Sequence, residues 1–135
     1  MIIQLKRIGV PDENGLIYSA ESFREVIKST ATTPIAGKIG VEGLGPLGKI
    51  IPPYHLSHTF MNLRAKMVCD DLWLIGELII LFSPLGEELR NLILNDRAFF
   101  VMAGEVNLTS VEGTASKFVE NCWLNSINAV KLDPV

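Results

Sequence analysis

The chain has 135 residues, 48% hydrophobic and 20% charged, with a formal net charge of −3 and a pI near 5.3. That is the size and composition of one folded domain with a core of its own, over residues 1–135, and it excludes a disordered chain. The weak acidic balance offers no general attraction to nucleic acid or to an acidic membrane surface, so neither is expected as a partner. The first ten residues alternate loosely, with Ile3 and Leu5 apolar and Gln4, Lys6 and Arg7 polar, which predicts a strand ending before Pro11 and does not resemble a signal peptide. Asp12–Glu13–Asn14–Gly15 is turn chemistry. Ser19 then caps a predicted amphipathic helix over Ala20–Ser29, with Phe23, Val26 and Ile27 inward and Glu21, Arg24, Glu25 and Lys28 outward.

Residues 34–53 contain Gly37, Gly40, Gly43, Gly45 and Gly48 together with Pro34, Pro46, Pro52 and Pro53. Short strand pieces at Ile35–Val41 and Lys49–Ile51 around an irregular loop are the expected result. Loops of this kind often carry binding surfaces. Leu44, Leu47, Ile50, Ile51 and Tyr54 make this one apolar, so it is either a partner-binding surface or a flap folded on its own core. Ser57–Cys69 alternates, with Phe60, Leu63, Ala65, Met67 and Cys69 apolar, and Leu72–Phe82 returns as its partner. A hairpin turning at Asp70–Asp71 is therefore expected. The 72–82 run is too short to span a bilayer as a helix, which takes about 20 residues.

The most sharply punctuated stretch is Ser83–Ser110. Ser83 can cap a helix and Pro84 loses nothing at its first position. Leu85, Leu89, Leu92 and Ile93 recur at helical spacing, and Glu87 and Glu88 suit the first turn. Asn95 and Asp96 can stop the helix, and Ala98–Leu108 follows as an apolar strand. After a polar link at Val111–Ala115, Lys117–Leu132 reads as one or two strands, because Asn121, Asn125 and Asn128 disfavour a helix.

Few residues could carry chemistry. His55 and His58 are the two histidines, in a segment that is not helical, and a metal site needs three or four convergent ligands. His58 could serve as a base to Ser57, Ser83, Ser110, Ser116 or Ser126, but no nucleophile elbow is present. A loop histidine facing solvent or an interface is the simpler expectation. Cys69 and Cys122 have no CxxC spacing and read as reduced core thiols. Asp70/Asp71 and Glu87/Glu88 read as solvated charges, and the glycines of 37–48 are not followed by the Gly-Lys-Ser/Thr of a phosphate loop. No metal or cofactor is expected.

The order of these parts resembles the prohead (head-maturation) proteases of tailed phages. Asn14–Gly15–Leu16–Ile17–Tyr18 is similar to the family's Asn-Gly-x-x-Tyr before a helix, and Gly37–Lys38–Ile39 takes the place of its Gly-Glu-Leu segment. Asp71–Leu72–Trp73 resembles the central hairpin, Ser83–Pro84–Leu85–Gly86 through Ile93 the helix before the nucleophile strand, and Val130–Lys131–Leu132–Asp133–Pro134 the last strand. The resemblance implies an α+β fold: a small, mostly antiparallel β-barrel-like sheet with two flanking helices.

The catalytic residues of that family do not carry over. Its Val-Ser-Ser-Arg-Gly segment aligns with Val101, Met102, Ala103, Gly104 and Glu105, and its histidine with Val41. Met or Ala cannot attack a carbonyl, and Val cannot take a proton. What the resemblance then implies is a non-enzymatic head protein of the virion, a capsid decoration or cement protein made in the host cytoplasm. It would contact the major capsid protein or other head proteins and form a homo-oligomer. The alternatives are an active serine protease with relocated residues and a scaffold or regulatory subunit of head assembly.

Overall fold

A computed structural model describes residues 1–40, 56–110 and 113–132. The strands are β1 (Ile2–Arg7), β2 (Leu16–Ile17), β3 (Ile35–Gly40), β4 (Leu56–Val68), β5 (Asp71–Ile80), β6 (Ala98–Ser110) and β7 (Lys117–Lys131). The helices are α1 (Arg24–Thr30), preceded by a 3₁₀ turn at Glu21–Phe23, and α2 (Pro84–Leu94). The sheet runs β1-β5-β4-β3-β7-β2, with β6 on the other side of β7. All pairings are antiparallel except β2 and β3 against β7. The result is a curled half-barrel with two helices, the α+β architecture that the resemblance implies.

Local chemistry explains most element ends. The Asp12 carboxylate accepts from the N–H groups of Asn14 (2.9 Å) and Leu16 (3.0 Å), and Gly15 takes φ +76°, a conformation that costs glycine little. Ser19 Oγ accepts from Ser22 N (3.1 Å), which starts a 3₁₀ turn, so the α-helix proper begins at Arg24, later than Ala20. Its inward residues are as expected: Phe23 and Val26 are buried and Ile27 packs partly against the core. Thr30 Oγ1 donates to Val26 O (2.8 Å) and accepts from Leu63 N (3.1 Å), tying α1 to the sheet. Ser83 caps α2 through Gly86 N (3.1 Å), and the left-handed Asp96 (φ +53°) turns the chain out of the helix at its other end. Leu89 and Leu92 are buried, while Leu85 is only half-buried.

The hairpin differs from expectation by one residue. Val68 pairs with Asp71, so the two-residue turn is Cys69–Asp70, both with positive φ (50° and 69°), as a type I′ turn requires. Asp71 belongs to β5, where it accepts from Arg7 Nη2 (2.7 Å). Cys69 is therefore exposed at the hairpin tip with Met67 beside it, and only Cys122 is a core thiol. The alternation of β4 is also interrupted by a bulge with Asn62 at φ +52°, which lets both Phe60 and Leu63 face inward.

Residues 117–131 form one long strand, not two. It pairs Asn121 with Asn107 and Asn128 with Val101, and accommodates Asn125 at an irregularity of register. That irregularity falls where Ala103 pairs with Ser126 and Gly104 with Leu124, leaving Asn125 extra. The core packs Phe60, Leu74 and Leu78 of one part of the sheet against Val119, Cys122 and Ile127 of the other, with Phe23 and Val26 closing one end.

Candidate functional site

Two places could hold chemistry, and neither lies in a loop. The first is at the junction of β3, β4 and β7. Gly37 pairs with His58 and Lys38 with Leu56, so Ser57 is the extra residue of a bulge. The bulge undoes the alternation that would send neighbours to opposite faces, and Ser57 and His58 are both fully buried. His58 Nε2 lies 2.6 Å from Ile127 O, and Nδ1 lies 2.7 Å from Ser57 Oγ. A carbonyl can only accept, so Nε2 carries the proton and the Ser57 hydroxyl donates to Nδ1. Burial holds the His58 pKa below its ordinary value, opposed by the hydrogen bond to Ile127, so the ring is neutral near pH 7. Phe60 and Phe100 meet the imidazole edge-on, with ring centroids 5.5 and 5.4 Å away. His58 is thus neither at the surface nor at an interface of the described chain.

Gly37 makes this junction possible. A Cβ at that position would overlap Ile127 O and His58 Nε2. Beside it, Asn128 Oδ1 accepts from Lys38 N (3.1 Å) and Asn128 Nδ2 donates to Ser126 Oγ (3.0 Å), so the asparagine stitches β3 to β7. Ser126, a candidate nucleophile from sequence, is spent in this bond, and Ser83 is spent as a helix cap.

The second place is β6. Met102 pairs with Ile127, the residue whose carbonyl accepts from His58, and Ala103 with Ser126. Phe100, Met102 and Val106 point toward the core, while Phe99 and Val101 are 43% and 40% exposed. The inward residues line a cavity of about 480 Å³ that also touches Leu5, Tyr18 and Cys122. Its polar rim is Lys6, Asp12, Glu13 and Asn14. Lys6 Nζ sits 3.3 Å from Asp12 Oδ2 and over the Tyr18 ring, 5.3 Å from its centroid. Burial works to raise the Asp12 pKa, but the N–H groups of Leu16 and Asn14 and the Lys6 charge together hold it below the usual value.

Neither nucleophile of the cavity is activated. Burial pushes the Cys122 thiol up to about 11 and the Tyr18 phenol up to about 12, so both are protonated near neutral pH. The sequence pointed to Met102 and Ala103 but gave no sign of this cavity, because its walls come from three separate segments. Val41, Leu44, Leu47, Ile50, Ile51, Tyr54 and His55 lie outside the described residues, as does the predicted strand at Lys49–Ile51.

No protein-family model matches this sequence, and no curated protein sequence matches it. Among solved structures, the chain is similar to the bacteriophage T4 capsid assembly protease, gp21, with a TM-score of 0.66 at 12% identity. The likeness covers 96% of this chain and 79% of that one. It establishes a prohead-protease-like fold and leaves chemistry to the residues themselves.

Proposed function

We propose that this chain is a non-enzymatic phage head protein, a capsid decoration or cement protein on a prohead-protease-like fold. The observation that carries the reading is the pair Met102–Ala103 on β6, at the place where the resemblance puts a nucleophile. Neither side chain can attack a carbonyl. The phage capsid setting of the T4 neighbour supports a place in the head. Its partners would be the major capsid protein or other head proteins, with further copies of itself. Mass spectrometry of purified mature virions tests this: many copies per particle are expected, and absence from finished heads but presence in assembling ones would favour the scaffold or regulatory reading.

One observation favours a second reading, a protease with relocated residues. Ser57 Oγ donates to His58 Nδ1 at 2.7 Å, as a nucleophile does to its base. Against it, both side chains are fully buried, and the far nitrogen of the ring meets a backbone carbonyl, not a carboxylate. A serine-directed fluorophosphonate probe separates the two readings. No labelling is expected, whereas labelling of Ser57 that is lost in His58→Ala would make the protease the better account.

A further inference from the structure

The cavity of about 480 Å³ beside β6 plays no part in the proposed function, and its volume falls in the range of clefts that hold small molecules. Well-packed interiors leave few voids larger than a water molecule, so its contents matter. Its inner walls include Leu5, Leu16, Phe100, Met102 and Val106. One polar group without a partner faces this apolar space. Tyr18 is only 7% exposed, and its ring stacks on Phe23 with centroids 5.2 Å apart. Its hydroxyl makes no hydrogen bond to any described residue, yet no buried side-chain polar atom among them is left sealed off and unsatisfied. The phenol oxygen of this cavity-lining residue is therefore open to the cavity. It keeps its proton near neutral pH, so it offers an O–H donor there.

The charges around the cavity decide what can accept from that donor. Lys6, the cation in its lining, is taken up by Asp12 at 3.3 Å. Glu13 adds a second carboxylate at the rim, so the balance there is negative. An anion would be repelled, and its desolvation would go uncompensated. A cation would be held at the rim by the carboxylates and would leave the apolar interior unfilled. We infer that the cavity binds an uncharged, mostly apolar ring compound carrying one carbonyl oxygen, which accepts from the Tyr18 hydroxyl. Phe100 supplies an aromatic ring and Met102 a polarisable sulfur, which favour an aromatic body over an alkyl chain. A single placed donor in apolar surroundings fixes the orientation of such a ligand, as the few polar groups of small-molecule sites do. The inference rests on the cavity alone and holds whether or not the protein is found in virions.

The test titrates the full chain with prodan, an uncharged naphthyl ketone whose emission moves to the blue in apolar surroundings. Saturable one-to-one binding with blue-shifted emission is expected. Tyr18→Phe keeps the ring on Phe23 and removes only the donor, so it should weaken binding about fivefold. Met102→Trp fills the cavity and should abolish binding, with a melting curve to verify that each variant folds. The matching carboxylate, a dimethylaminonaphthoate, should bind more weakly by about tenfold or more. Phe82→Ser removes the most exposed aromatic ring and, as the surface control, should leave binding unchanged. No saturable binding up to the solubility limit of prodan, equal affinity in Tyr18→Phe, binding retained in a folded Met102→Trp, tighter binding of the carboxylate, or loss in Phe82→Ser would each overturn the inference.

Discussion

The Ser57–His58 junction on β4 and the Met102–Ala103 stretch of β6 are opposite in character. At the first, a hydroxyl and an imidazole are hydrogen-bonded with the geometry of a working pair, but no substrate can reach them. At the second, a cavity opens beside the strand, but Met102 brings it only a thioether, and its Cys122 thiol and Tyr18 phenol stay protonated. Hydrolysis needs reactive groups and access in the same place. Separated, the same groups do something else: the buried pair satisfies the polar atoms of a bulge, and the open strand offers backbone and apolar surface. Both regions are pinned by a glycine against a neighbouring carbonyl, Gly37 against Ile127 O and Gly104 against Trp123 O.

The largest expected effect comes from those glycines. Gly37→Ala places a methyl on both Ile127 O and His58 Nε2, so β3 must separate from its neighbours. A loss of about 3 kcal/mol or more is expected in a denaturant titration. Gly104→Ala meets Trp123 O in the same way and should cost a similar amount while leaving the His58 junction intact. A change under about 1 kcal/mol in either would mean that the strands have slack there.

His58→Ala is expected to cost about 3 kcal/mol, since it leaves a cavity and strips Ile127 O and the Ser57 hydroxyl of their partner. Ser57→Ala should cost less, about 1 kcal/mol, because Nδ1 alone is left without a donor. If the two costs were reversed, the serine would be the organising member of the pair.

A smaller, pH-dependent effect follows from the lowered pKa of His58. Unfolded, the ring takes up a proton near pH 6.5; folded, it does so only at lower pH. The unfolded state thus binds more protons in that window, and stability falls as pH drops below about 6.5. Melting midpoints between pH 7.5 and 5 should show this fall, and His58→Gln should flatten it. An unchanged slope in the variant would assign the titration to other groups.

The smallest effect is the most pointed. Ala103→Ser restores a hydroxyl to β6 with a stability change within about 0.5 kcal/mol. It should still not react with a fluorophosphonate probe, because both ring nitrogens of His58 are committed, to Ser57 and to Ile127. Labelling of Ser at this position would show that a base does reach the strand, and the contrast between the two regions would fail.

Much of the fold was legible because its signals are local. The Ser83–Pro84 start and Asn95–Asp96 stop of α2 and the Asp12–Gly15 turn depend on residues close in sequence, and they formed where their chemistry placed them. The absence of a nucleophile at residues 102–103 is likewise a fact of the sequence. Tertiary structure decided the rest. Nothing in the Ser57–His58 dipeptide says that both side chains face inward. Alternation predicts opposite faces, and only the register against Gly37 supplies the bulge. The one-residue shift of the hairpin turn, the exposure of Cys69 and the burial of Asn128 arise in the same way, from which strand lies alongside. The cavity beside β6 joins residues about a hundred positions apart, and a pattern within any one segment cannot record what the others bring to it.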